Sequence, residues 1–166
     1  MRQIIVGRSM RREVERIETQ LRLSFEGAAW HGPSVLEALE GVTAEAAYAH
    51  PIPGAHSIWE LVLHICAGYR LVLRRLEGDG RPLTLEEDWP AVGAPTPVAW
   101  LEVMRDLREL NGELRRAVLN FDPERLDEAL VPQPPYSAYT QFIGMTQHDL
   151  YHAGQIVLLK RAIKTA

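Results

Sequence analysis

The chain has 166 residues, 46% of them hydrophobic and 24% charged, with a formal net charge of -4. That is the balance of one globular domain, 1–166, with enough apolar material for an ordinary core. It excludes a nucleic-acid surface, which needs a concentrated basic field. No apolar run approaches the roughly 20 residues that span a bilayer, which excludes a membrane partner.

The N-terminal stretch lacks the apolar core of a secretory signal, and Cys66 is the single cysteine. A cytoplasmic protein without an internal disulfide is therefore expected.

In chain order, the first helix is predicted from Ser9 to about Ala28, with Val14, Ile17, Leu21 and Ala28 on one face. Pro33 breaks it, and Ser34 with Glu37 forms a capping-box pattern that restarts a short helix to about Glu40. Ser57 with Glu60 is a second such pattern, opening a helix to about Glu77. The stretch from Gly78 to Thr96 holds Pro82, Pro90 and Pro95 and reads as a long connection.

Thr96 followed by Pro97 is an N-cap with proline in the first turn. The helix after it carries Trp100, Met104, Leu107, Leu110, Leu114 and Val118 at helical spacing. Asp122-Pro123 opens another short helix, and a last long one runs from about Thr140 to Lys164. No segment alternates apolar and polar residues as a strand does. Four long amphipathic helices with two lengthy connections predict an all-α helix bundle.

The strongest chemical signal is His148-Asp149-Leu150-Tyr151-His152. Histidines four apart on a helix are separated by roughly 40° and can face one point. On a helical wheel, Asp149, Lys160, Arg161 and Lys164 lie roughly 100° to 220° from His148, so the histidines turn away from the charged side. Leu150 and Val157 share that charged side and could pack on a second subunit.

Inward-facing imidazoles have two solutions, hydrogen bonds to neighbours or a shared metal ion. His64 sits two turns into its helix at the edge of the apolar face, which suits a third ligand or a partly exposed histidine equally. Cys66 lies about 200° from His64 and reads as core.

Glu60 precedes His64 by one turn and could bond its second nitrogen or act as a base, although capping already accounts for it. His31 and His56 could line a pocket mouth, and with Glu60 they are the candidate catalytic groups. HExxH, a phosphate loop and a G-x-S-x-G elbow are all missing.

Three segments carry a resemblance. They are Ala29-Trp30-His31-Gly32-Pro33-Ser34-Val35, His56-Ser57-Ile58-Trp59-Glu60 leading to His64, and His148 to Gln155. With them, nearly the whole chain resembles the DinB/YfiT-like proteins, metalloenzymes built on a four-helix bundle. The resemblance implies an up-down-down-up bundle, with the short extra helices in its connections, and a homodimer. It also implies one divalent metal ion held by His64, His148 and His152. Imidazole ligands suit several transition metals, with zinc or nickel expected.

Relatives include metal-dependent hydrolases and enzymes that transfer a low-molecular-weight thiol to electrophiles. The implied partner is thus a small-molecule substrate, with or without such a thiol. The alternative is a non-catalytic, dimeric metal-binding protein of the stress response.

Overall fold

The computed structural model describes residues 2–30 and 32–165, with side chains described for 11–30 and 32–164. Its elements are α1 (Arg2–Glu26), α2 (Val35–Leu39), α3 (Ala44–Tyr48), α4 (Ile58–Leu76), α5 (Leu85–Asp88), α6 (Pro97–Asn120), a 3-10 turn (Pro123–Arg125) and α7 (Ala138–Thr165). Among the described residues there is no strand, only an isolated bridge between Ala129 and Ser137. The all-α expectation holds. None of the described helices is long and apolar enough to cross a membrane.

Helix starts follow local chemistry. Ser34 and Ser57 accept from the backbone N–H of Glu37 and Glu60, and each glutamate accepts in return from the cap backbone. Thr96 accepts from Ala99, with Pro97 in the first turn. The region 78–96 is not all connection, because Thr84 and Glu87 form a third capping box and open α5. Thr43 caps α3 in a similar way, accepting from Ala46. The runs that follow, AEAAY and LEED, lack the large apolar residues of α2, so the sequence pattern passed over both.

The first helix differs from expectation at both ends. Its backbone is helical from Arg2, which puts Ser9 inside the helix instead of at its cap. It stops at Glu26 because Gly27 and Ala28 take positive φ of 130° and 59°. The buried stripe is accordingly Val14, Ile17, Leu21 and Phe25, and Ala28 is exposed.

Each long helix packs on two others: α4 on α6 and α7, and α1 on α6 and α7. The four close a ring with α1 across from α4, the contact pattern of a four-helix bundle. Trp59 meets Trp100 and Tyr69 meets Asn111, so numbers rise together and α4 runs parallel to α6. His64 meets His152 while Arg75 bonds Gln141, so α4 and α7 run antiparallel. This is the down-down-up part of the expected order. The long connection after α4 is needed to carry the chain back along that helix, about 28 Å for its 19 residues.

Trp100, Met104, Leu107, Leu114 and Val118 of α6 are buried as their spacing predicts. The other buried position is Asn111, while Leu110 is only half-buried. Fully buried side chains such as Leu107, Leu114 and Ile156 each contribute about 1.5–3 kcal/mol of transfer free energy.

Asp149, placed by its wheel angle on the wet side of the last helix, is in fact fully buried. The reason is that α7 is covered by α1 as well as by α4, so a residue 100° from His148 points inward. The Tyr69 hydroxyl donates to Asp149 Oδ1 at 2.8 Å. The Ser24 hydroxyl lies 3.1 Å from Oδ2, and Asn111 Nδ2 donates to the Tyr69 oxygen at 3.2 Å. Burial pushes the Asp149 carboxyl up to about 7 even with those donors holding it down. Val157, on the same side, packs partly against the core of its own chain.

Candidate metal centre

The Ser57–Glu60 cap fixes where α4 begins, and His64 follows two turns later. His148 and His152 stand one turn apart on α7, and the antiparallel packing brings both to His64. His148 Nε2 is 3.0 Å from His64 Nε2 and 3.1 Å from His152 Nε2. All three ligand atoms lie within 4.8 Å of one another. His152 is buried and the other two are half-buried. The sequence-predicted trio is therefore one cluster.

The outer nitrogens decide what the inner ones can do. His64 Nδ1 donates to Asp88, whose backbone oxygen and Oδ1 both lie at 3.0 Å. His152 Nδ1 donates to Gln155 Oε1 at 2.6 Å. A neutral imidazole has one proton, so His64 and His152 both present bare lone pairs at Nε2. His148 Nδ1 is buried without a partner. Its proton is better placed at Nε2, where it can satisfy one of the two facing lone pairs. Two lone pairs are then left without a donor, one inner Nε2 and the buried Nδ1 of His148, at a cost of about 1–3 kcal/mol each.

A divalent cation fits that donor set. Tetrahedral nitrogens around zinc, at about 2.0–2.1 Å from it, sit about 3.3 Å apart. The two close separations here approach that value. Protonation competes weakly. Burial, then the neighbouring His152 and His64, bring His148 down to about 3, and burial is also the main cause that lowers His152. Gly68, one turn past His64, allows the helices this close: a Cβ there would lie 3.1 Å from Met145 Cε and 3.4 Å from His148 Cε1.

Of the other candidates, neither Glu60 nor His56 belongs to the cluster. Glu60 does not reach His64. It closes the capping box and meets His50 Nε2 at 3.1 Å and His56 Nδ1 at 3.6 Å. Burial pushes the Glu60 carboxyl up, but hydrogen bonds from Ser57 and His50 outweigh this and leave it below its ordinary range. His31 lies outside the described residues. Cys66 is buried as expected, and burial pushes its thiol up to about 12, far from thiolate formation at neutral pH.

Sequence reasoning missed Asp88 and Trp89. Trp89 is parallel to both His56, at 3.7 Å between ring centroids, and His64, at 4.0 Å. Two rings that close to one centroid cannot share a face, so Trp89 is sandwiched between them. The available signal was Thr84-x-x-Glu87, which ends in Asp88-Trp89.

Beside the cluster opens a cleft of about 390 Å³, lined by Ile52, Leu61, Leu158 and Leu159 along with His56, Trp89, His152 and Gln155. Tyr151, exposed on the rim, and Ala55 complete it, and none of the lining residues is Lys, Arg, Asp or Glu.

No curated protein and no solved structure matches this chain. The family model of the DinB superfamily matches residues 29–156, a span that includes all three histidines, Asp88, Trp89 and Gln155. The chain belongs to the DinB superfamily.

Proposed function

We propose that this protein is a metal-dependent enzyme, a hydrolase or thiol S-transferase, acting on a small, uncharged, largely apolar molecule. The observation that carries the reading is the cleft: it is apolar, it lacks charged side chains, and His152 forms part of its lining. A purely structural ion would be enclosed by packed side chains, whereas this cluster borders open space.

When bound, a divalent ion on His64, His148 and His152 supplies a Lewis acid with open positions for a substrate or nucleophile atom. Asp88 and Gln155 orient two of the three rings by accepting from their Nδ1 protons. The apolar walls exclude water and receive the body of the substrate. His56 is the group placed to move a proton. His56 Nδ1 lies 3.6 Å from the Glu60 carboxylate and the residue lines the cleft, so in this reading Nδ1 carries the proton and Nε2 the lone pair. His56 Nε2 takes the proton of the attacking O–H or S–H and returns it to the leaving group. Hydrolysis and thiol transfer use the same residues and differ in the nucleophile.

The test begins with chelator-stripped protein, reloaded separately with zinc, nickel or cobalt. Each form is screened on small neutral esters and amides, and on neutral electrophiles with several cellular thiols. Turnover in one class is expected, abolished in His64→Ala. In His56→Gln, kcat should fall about 10²–10⁴-fold with metal content unchanged. Stoichiometric metal with no turnover in any assay would instead identify a non-catalytic metal-binding protein. Unchanged metal content in His64→Ala would remove His64 from the ligand set.

A further inference from the structure

Beyond the cleft, a buried polar group surrounds Asp149. Ser24 comes from α1, Tyr69 from α4, Asn111 from α6 and Asp149 from α7, so each long helix contributes one member. All four side chains are 0 or 1% exposed. Their contacts run Asn111 to Tyr69 at 3.2 Å, Tyr69 to Asp149 at 2.8 Å and Ser24 to Asp149 at 3.1 Å. None of them belongs to the histidine cluster or lines the cleft. Two are its close neighbours in sequence: Asp149 follows His148, and Tyr69 follows Gly68, against which the His148 ring rests.

We propose that this four-helix hydrogen-bond network is a positioning device for the metal centre, fixing the rotation and level of α7 against α4 so that His148 and His152 face His64. The proposal rests on the metal-binding reading above. Its physical basis is the difference between apolar and polar contacts. Apolar packing is non-directional and tolerates small rotations of a helix. A hydrogen bond loses strength quickly as its angle worsens.

A side-chain tip about 6 Å from a helix axis moves about 1 Å for a 10° rotation. Binding constellations hold to within about 0.5 Å. Only a directional contact close to His148 provides that tolerance, and Tyr69 to Asp149 is such a contact. Ser24 and Asn111 hold the pair from the other two helices, which prevents it from turning as a unit. Tyr69 and Asp149 are thus positioning residues, without contact to metal or substrate.

The experiment measures cobalt and zinc affinity of the metal-free, full-length protein by competition with a chromophoric chelator. Wild type is compared with Tyr69→Phe, Asp149→Asn and Val14→Ala, with thermal melting of each. Val14 is a buried α1 residue that is not a member of the network, and its truncation lowers stability. The expected result is that Tyr69→Phe and Val14→Ala both melt lower, while only Tyr69→Phe weakens metal binding, by at least tenfold. Its cobalt absorption bands should also change shape.

Asp149→Asn should stay within about threefold of wild type, since the amide oxygen still accepts from Tyr69. Unaltered affinity in Tyr69→Phe overturns the proposal, leaving the network merely structural. So does Asp149→Asn losing as much as Tyr69→Phe, since charge and not position would then be the cause. If Tyr69→Phe does not fold, Ser24→Ala takes its place, with weaker binding expected and unchanged binding overturning the proposal. Failure of wild type to bind either metal overturns the metal reading itself, a result separable from every variant outcome.

Discussion

At the scale of single residues, the acceptors behind the histidines determine how firmly each is held. His152 Nδ1 has one acceptor, Gln155 Oε1, whereas His64 Nδ1 has two, the carboxylate and the backbone oxygen of Asp88. Substituting Asp88→Ala leaves the backbone oxygen in place. Gln155→Ala leaves nothing, so the His152 proton is free to move to Nε2 and block the inner lone pair. Loss of such an outer partner costs about 10–100-fold in metal affinity. Gln155→Ala is expected at the upper end of that range and Asp88→Ala at or below the lower end. Chelator competition at fixed pH measures both. The reverse order would show that the ring of His64, not that of His152, depends more on its partner. Part of this was legible in the sequence, since Gln155 shares the helical face of His148 and His152. Asp88 was not, because it lies 24 residues from His64 and only the return of the chain after α4 brings them together.

At the scale of elements, the four-residue α5 matters beyond its length. It sets Asp88 behind His64 and Trp89 between His64 and His56. Its capping box is tied outward through Glu87, which receives two bonds from Arg81, at 2.7 and 2.8 Å. Those bonds first, then the Thr84 backbone N–H, hold the Glu87 carboxyl at about 2. A carboxylate depressed in the folded state stabilises fully above its unfolded value near 4.5 and loses that contribution as pH falls through the folded one. The stability difference between wild type and Glu87→Gln is therefore expected to be constant above about pH 5 and to shrink steadily between about 4.5 and 2. Melting curves across that window measure it. A difference that grows on acidification would reverse the sign and exclude the depressed carboxylate. The serine caps of α2 and α4 were readable because an apolar helical run follows each. The Thr84 cap has the same chemistry but lies between Pro82 and Pro90, with no buried residue in its helix, so local sequence gave it no contrast.

At the scale of the whole molecule, the periodicities of α4 and α6 were legible because each presents one apolar face to the ring. The last helix is different. Phe142, Met145, Ala153, Ile156 and Leu159 are buried around much of its circumference, so a wheel anchored on charged residues assigned Asp149 to solvent. Only the packing of α1 on its far side corrects that. The same packing makes α4 and α7 the two halves of the histidine cluster, joined by contacts far apart in sequence. A ligand that binds the folded state alone stabilises it by about 2.7 kcal/mol at a hundred times its dissociation constant. For a chain of this size that corresponds to a rise in Tm of about 5–10 °C. Zinc or nickel is expected to produce such a shift in wild type, growing with the logarithm of metal concentration, and to produce none in His152→Ala or His148→Ala. Because each substitution leaves only two of the three ligands, His64 and one histidine of α7, either one should cancel the shift, not halve it. A half-sized shift in either variant would mean that two ligands, His64 of α4 and the one remaining histidine of α7, suffice to hold the ion.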